Sequence, residues 1–412
     1  MKKIIRLFII FIFCTLTAPL LQAQMSFRLK SAPADLNVYF NDTLIKPVSI
    51  SGTIREYRIA TAGTLRFSAP GYKSIEWNSA QLPVKKGQAD IKLENEKGIL
   101  RYIGEYKTGS QPKSAFFSPD GKRLFVPLLN EKGVDVFRVT GQSLQYEKRL
   151  EPSNKKGFVE ALVDERRREV WFSNLEEHKV YIYNLDTLEL ISSQSTGGNF
   201  PKVIAQTPDG ALTVVSNWIS MDISVFDSDT KKLLRRIPVG ATPRGMAFSP
   251  DSSTMYAAIY DEAVIAVVDM KTNKVTKRWR FHEGEGAARH IIYYGDKLYV
   301  SDMFRGTVNI LNPTTGALLK STRVGFNINT IAITPDGKYI FASSRGKNNP
   351  VDYTVPGPDL GAVYMLNAQD LTLIEKVWGR NQPTGLAVSP DGKLLVFTDF
   401  LDANLELYAI GN

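Results

Sequence analysis

Short apolar runs separated by a five-residue polar turn recur along most of the chain. Ala115-Phe116-Phe117 and Leu124-Phe125-Val126 flank Ser118-Pro119-Asp120-Gly121-Lys122. The turn returns as Thr207-Pro208-Asp209-Gly210, Ser249-Pro250-Asp251-Ser252, Thr334-Pro335-Asp336-Gly337-Lys338 and Ser389-Pro390-Asp391-Gly392-Lys393. Proline presets φ for the second position of a type I turn, aspartate tolerates the third, and glycine takes the left-handed position that closes the bulge. Each copy therefore predicts a hairpin between two buried strands. Two degenerate copies keep the apolar flanks: Ala161 to Phe172, with Glu165-Arg166-Arg167-Arg168 in the turn, and Ile291 to Val300. The seven repeats begin near residues 113, 159, 202, 244, 289, 329 and 384. Their spacing is mostly roughly 40 to 46 residues, the period of β-propeller blades.

Each repeat divides into four strands. In the third these are Lys202 to Thr207, Leu212 to Ser216, Asp222 to Phe226 and Lys232 to Pro238. The seventh repeat stops after its third strand, Leu405 to Ile410, which would leave an exposed edge. Leu100 to Tyr106 precedes Gly109-Ser110-Gln111-Pro112, the same exit that follows the fourth strand elsewhere, so it is expected to pair beside 405–410 and close the ring. The fold class is all-β: a seven-bladed propeller over residues 99–412.

Residues 24–95 carry no trace of the repeat. Phe27-Arg28-Leu29-Lys30, Asn37-Val38-Tyr39-Phe40, Arg55 to Ile59, Thr64 to Ser68 and Ala89 to Leu93 are short strands between Gly/Pro turns, which predicts a small β-sandwich. Residues 94–98 read as a linker. Because no repeat strand comes from this segment, the propeller is expected to fold without it. The order Ser31-Ala32-Pro33-Ala34, Val38-Tyr39-Phe40-Asn41-Asp42 and Pro70-Gly71-Tyr72 resembles PEGA-type domains of exported bacterial proteins, which implies a spacer or surface-attachment module. Further on, Pro243-Arg244-Gly245-Met246-Ala247-Phe248-Ser249-Pro250-Asp251 and Pro383-Thr384-Gly385-Leu386-Ala387-Val388-Ser389-Pro390-Asp391-Gly392-Lys393 resemble YVTN/YncE-like propellers of exported proteins. The resemblance implies the fold and leaves the activity open, since this architecture hosts many.

Residues 1–23 change the picture of where the chain works. Lys2, Lys3 and Arg6 precede an apolar run, Leu7 to Leu16, too short to span a bilayer freely, and Leu21-Gln22-Ala23 offers a cleavage site. A signal peptide is expected, with export to the periplasm or cell surface and no transmembrane segment in the mature chain. Cys14, the single cysteine, leaves with it, so neither disulfides nor thiol chemistry are available. Removing the three basic leader residues from a net charge of +9 leaves +6.

Strand order places the candidate chemistry on one loop face. The first residues of the inner strands are Lys113, Val159, Lys202, Arg244, Arg289, Asn329 and Thr384, four of them basic, with Glu160 adjacent. The loops after the second strands add Asn174, Trp218, Tyr260, Asp302, Phe304, Arg345, Asp399 and Phe400, and a long polar insertion, 346–359, falls on the same face. From these, Lys113, Lys202, Arg244, Arg289, His290, Trp218, Tyr260, Asp302, Phe304 and Arg345 are expected to form a basic, aromatic binding platform.

Catalytic signals are thin. His178, His282 and His290 are the only histidines, and His282-Glu283-Gly284-Glu285 with His290 fits no strong metal spacing, so neither metal nor cofactor is expected. The Pro-Asp-Gly acids are turn residues. The expected function is binding or scaffolding of a protein or anionic envelope polymer by a monomer. A hydrolase or lyase resembling the seven-bladed lactonases, with His290, Arg289 and Glu160, is the alternative. Single-stranded nucleic acid is a less favoured partner because the chain is exported.

Overall fold

The computed structural model describes residues 24–411 apart from 61, 62 and 86, so the leader expected over 1–23 lies outside the described residues. Residues 100–107 and 116–410 form seven four-stranded antiparallel sheets, the seven-bladed propeller predicted from the repeat. We number the blades in repeat order. Blade three, for example, runs Pro201–Gln206, Leu212–Asn217, Asp222–Asp227 and Leu233–Pro238 from the axis outward. Second strands are covered by neighbouring blades on both faces, which is why they read as continuous apolar runs. Glu169–Asn174 and Leu394–Asp399 are buried throughout. Outer strands such as Leu318–Arg323 face water and carry the polar sequence.

The repeated turn owes more to aspartate than a tolerant backbone. Asp120 Oδ1 accepts from the Ser118 hydroxyl at 2.6 Å and from Lys122 N at 3.1 Å, while Gly121 sits at φ +68°. The same contacts form at Asp209, Asp251, Asp336 and Asp391. Ser252 takes the glycine position at φ +61°.

Blade seven closes the ring with the strand from the far end of the repeats. Leu100–Lys107 pairs antiparallel with Asn404–Ile410, from Leu100 opposite Ile410 to Lys107 opposite Asn404. Tyr102 meets Tyr408 edge to face with centroids 5.4 Å apart.

Residues 24–92 make two sheets around one core that includes Phe27, Leu29, Val38, Tyr57, Leu65 and Phe67. One sheet has a parallel pair, Gln24–Ala32 beside Gln88–Lys92. Contrary to a loosely tethered module, this segment is bonded into the propeller. Lys92 forms an ion pair with Glu406 and donates to Trp378 O at 2.9 Å. The fully buried Lys30 donates to Gly357 O and Asn381 Oδ1 at 2.8 and 2.9 Å. Within the stretch read as a linker, Asn95 Nδ2 donates to Glu375 Oε1 at 2.9 Å. The same carboxylate accepts from Ile99 N at 2.7 Å and Leu100 N at 3.0 Å.

Candidate functional site: the channel mouth

In five blades the pairing of inner and second strands skips just after it begins. Pro201 opposes Asn217, yet the next pair is Ile204 with Val215, so two residues face one. The same bulge follows Pro243, Ala288, Ile328 and Pro383. Bulges bend the strand and re-aim its side chains. Here the bulged residues include Lys202, Arg244, Arg289, Asn329 and Thr384, the inner-strand positions singled out from the sequence.

Hydroxyls on the second strands fix these bulges. Ser216, Ser301, Ser343 and Thr398 accept from the backbone N–H of Val203, His290, Thr330 and Gly385 at 3.1, 3.0, 3.1 and 2.9 Å. Ser173, Ser301 and Ser343 also donate across to the next blade, to the carbonyls of Lys202, Asn329 and Thr384 at 2.6, 2.9 and 2.9 Å. The buried hydroxyls thus tie blade to blade at the height of the channel mouth. A Cβ on Gly245 would lie 2.9 Å from Ile291 N, and one on Gly385 would lie 2.5 Å from Ser114 Cα. The Pro-Arg-Gly and Pro-Thr-Gly triplets therefore let adjacent inner strands touch.

The mouth brings together most of the expected residues. Lys113, Lys202, Arg244, Arg289 and His290 line one enclosed space with Glu160. Its volume is about 10 Å³, room for about one water. Arg244 lies between Trp218 and Tyr260, 4.7 and 4.6 Å from the ring centroids, and Lys202 stands 4.7 Å over the same indole. Lys113 is 5.0 Å from Phe400. Arg345 is 5.3 Å from both Phe400 and Tyr353, a residue of the insertion, and donates to Gln382 Oε1. Among the described residues, Lys113, Lys202, Arg244 and Arg289 make no ion pair and no side-chain hydrogen bond. Arg244 Nε and His290 Nδ1 are buried without a partner.

Two expected residues do not join the ring. Asp302 is fully buried, and its Oδ1 accepts from Ala287 N and Arg305 N at 2.9 and 3.0 Å, which fixes the turn after its strand. Phe304 is 63% exposed, and it stacks on none of the site's cations. His178 and His282 are engaged locally: His178 Nδ1 accepts from Phe200 N at 3.1 Å, and His282 Nε2 lies 2.9 Å from Asn309 Oδ1.

The electrostatics follow from crowding like charges away from water. Burial, then the neighbouring Arg289 and Arg345, hold the Lys113 ammonium well below its usual pKa. Burial and Arg244 do the same to Lys202. Burial followed by Arg289 lowers His290 to about 4, so its imidazole is neutral at pH 7. Burial raises the Glu160 carboxyl to about 7 against the pull of Arg289, Lys113, Arg244 and Lys202. One buried acid thus faces two lysines and two arginines whose charged forms burial disfavours.

Fold and site define a seven-bladed propeller with a basic, aromatic-lined channel mouth. Comparison with known proteins agrees on the class. Residues 101–249 match the family described as YNCE-like beta-propeller, and residues 236–412 match lactonase, 7-bladed beta-propeller. Antigen Lp49 of Leptospira interrogans is 34% identical over 355 residues, covering 84% of this chain and 77% of that protein. Protein NirF of Stutzerimonas stutzeri is 29% identical over 173 residues, 40% of this chain and 43% of its own length. A 6-phosphogluconolactonase of Formosa agariphila is 22% identical over 277 residues, 57% of this chain and 75% of its own. The chain belongs to the propeller family that includes antigen Lp49. No helix among the described residues is long and apolar enough to cross a membrane.

Proposed function

We propose that this protein is an exported binding propeller that takes a multiply anionic partner, a protein or an envelope polymer, on its channel mouth. The observation that carries the reading is a set of four cations with aromatic faces beside them and no carboxylate paired to them. In the free protein these charges repel one another across poorly hydrated space, and a docked anion would relieve that repulsion. The enclosed space holds about one water, so the partner sits on the rim. The sandwich, like the PEGA-type modules it resembles, serves attachment or spacing. The test is binding of heparin and poly-glutamate by wild type and by K202Q/R244Q/R289Q across a salt titration. Wild-type affinity falls steeply with salt. The triple variant loses about 100-fold at low salt, at ~1 kcal/mol for each of three rim charges, and melts at the same or a higher temperature. Equal binding by both proteins would remove the channel mouth as the site.

A second reading has one observation of its own. Glu160, with its pKa near 7, shares the enclosed space with Arg289 and the neutral His290, and a carboxyl so tuned can serve as a general base. Together with the lactonase-type match, this suggests hydrolysis of an anionic lactone. E160Q separates the readings. As a binding site, E160Q holds polyanions at least as tightly as wild type and loses the wild-type weakening as pH rises through about 7. That weakening comes from Glu160 giving up its proton and opposing the anion. As a hydrolase, wild type turns over a phosphorylated sugar lactone, and E160Q loses about 100-fold or more in kcat.

A further inference from the structure

A second cavity is lined by none of the channel-mouth residues. The outer edges of blades five and six, the 346–359 insertion and the Pro33 turn of the sandwich enclose about 490 Å³. That size suits a small organic ligand, and a junction between separately packed units is a common place for one. Val324, Phe326, Leu360 and Ala362 supply apolar wall, and Ala34 stands at the rim. Tyr364 and Trp378 add aromatic faces.

Three donors in this cavity lack hydrogen-bond and ion-pair partners among the described residues. Trp378 Nε1 is buried with no acceptor. Lys376 Nζ lies 3.1 Å from the Trp378 ring centroid and 5.5 Å from that of Tyr364, with no ion pair or hydrogen bond of its own among the described residues. Arg323 stands 5.5 Å over Phe326, likewise without an ion pair. The one lining acid, Asp359, is 3.6 Å from Lys347. Burial lowers Lys376 to about 8 against the pull of Asp359, so an empty site already disfavours its charge. Unpaired donors of one sign above aromatic walls are the complement of one ligand chemistry.

We propose that this cavity binds an amphipathic aromatic anion, a planar ring system bearing a carboxylate or sulfonate. Its acid group meets Lys376 and Arg323, and its ring lies against the apolar wall and the Trp378 face. A fatty acid is a different proposal, and the compact, ring-lined space favours the flat ligand.

The test uses the mature chain and anilinonaphthalene sulfonate, followed by its fluorescence. One saturable site per chain is expected. K376Q weakens it about tenfold, the loss of one charge-assisted contact. A34W, at an exposed turn, blocks the rim and weakens it at least as much. Uncharged phenylnaphthylamine binds less well to wild type and is insensitive to K376Q. Naphthoate displaces the probe, whereas decanoate does not. K202Q/R244Q/R289Q binds it like wild type, so this site stands or falls apart from the channel mouth. The proposal is overturned if wild type shows no saturable site, if K376Q and A34W both bind like wild type, or if decanoate displaces the probe better than naphthoate.

Discussion

A chain lacking residues 99–107 is expected to aggregate and to lose its cooperative melt. The deletion strips the outer strand from blade seven and exposes Asn404–Ile410, whose residues are otherwise almost all buried. That strand would then present an unpaired row of N–H and C=O groups, a template for pairing with other chains. Leu100, Tyr102, Ile103 and Tyr106, which pack into the cores between blades six and seven and between blades seven and one, would leave with it. At ~1.5–3 kcal/mol for each large side chain, the loss rivals the ~5–15 kcal/mol that a domain has in total. Size-exclusion chromatography, limited proteolysis and melting would read the outcome. A monomer with an unchanged melting temperature would mean that blade seven is not closed by this strand.

The second large effect is expected at Lys92. Its ammonium reaches from the sandwich to Glu406, a fully buried acid on the third strand of blade seven. Tyr408 Oη donates to the same carboxylate at 3.0 Å. Asp399 is buried close by, and burial followed by the charge of Glu406 pushes its pKa well up, with Lys92 opposing the rise. Removing one partner of a buried pair costs about 3–5 kcal/mol, so K92M should be strongly destabilised, while K92M/E406Q should recover most of the loss. The pH dependence has a definite sign. A carboxyl whose folded pKa is raised contributes stability below its ordinary pKa and loses it as pH rises through the folded value. Without Lys92, the Asp399 pKa rises further. The deficit of K92M relative to wild type should therefore be smaller at about pH 5 than at about pH 8 in urea unfolding. A pH-independent deficit, or no rescue by E406Q, would show that the ion pair is not what Lys92 contributes. For the same reason, deleting 24–95 takes from Glu406 the Lys92 ammonium that pairs with it. The expectation that the propeller folds without its first domain would therefore be tested with Glu406 short of its counter-ion.

The blade count and the closing strand were legible because both are written locally, in a turn with fixed chemistry and in an exit motif recurring before residue 113. The basic positions were legible because strand order puts equivalent residues at equivalent places. What escaped was non-local. Nothing near Lys92 or Lys30 in the chain announces a partner in blade seven or in the insertion. The hydroxyl relay had a visible trace, a polar pair ending the apolar second run at Ser173-Asn174, Ser216-Asn217, Ser301-Asp302, Ser343-Ser344 and Thr398-Asp399. Its meaning depends on bulges that appear only once the strands pair. Asp302 and Phe304 share a loop with the site but not its direction: one side chain turns back to its own backbone and the other faces solvent.

The clamp at Glu375 bears on how the molecule carries load. If the sandwich is held while the propeller is pulled, tension enters at residues 95–100, where one carboxylate grips Asn95, Ile99 N and Leu100 N. Behind it, force reaches the Leu100–Ile410 end of the antiparallel pair first, where Gly411 N also donates to Ile99 O at 2.8 Å. The strand that seals the ring is thus also the tether, so traction on the sandwich bears directly on the closure of blade seven.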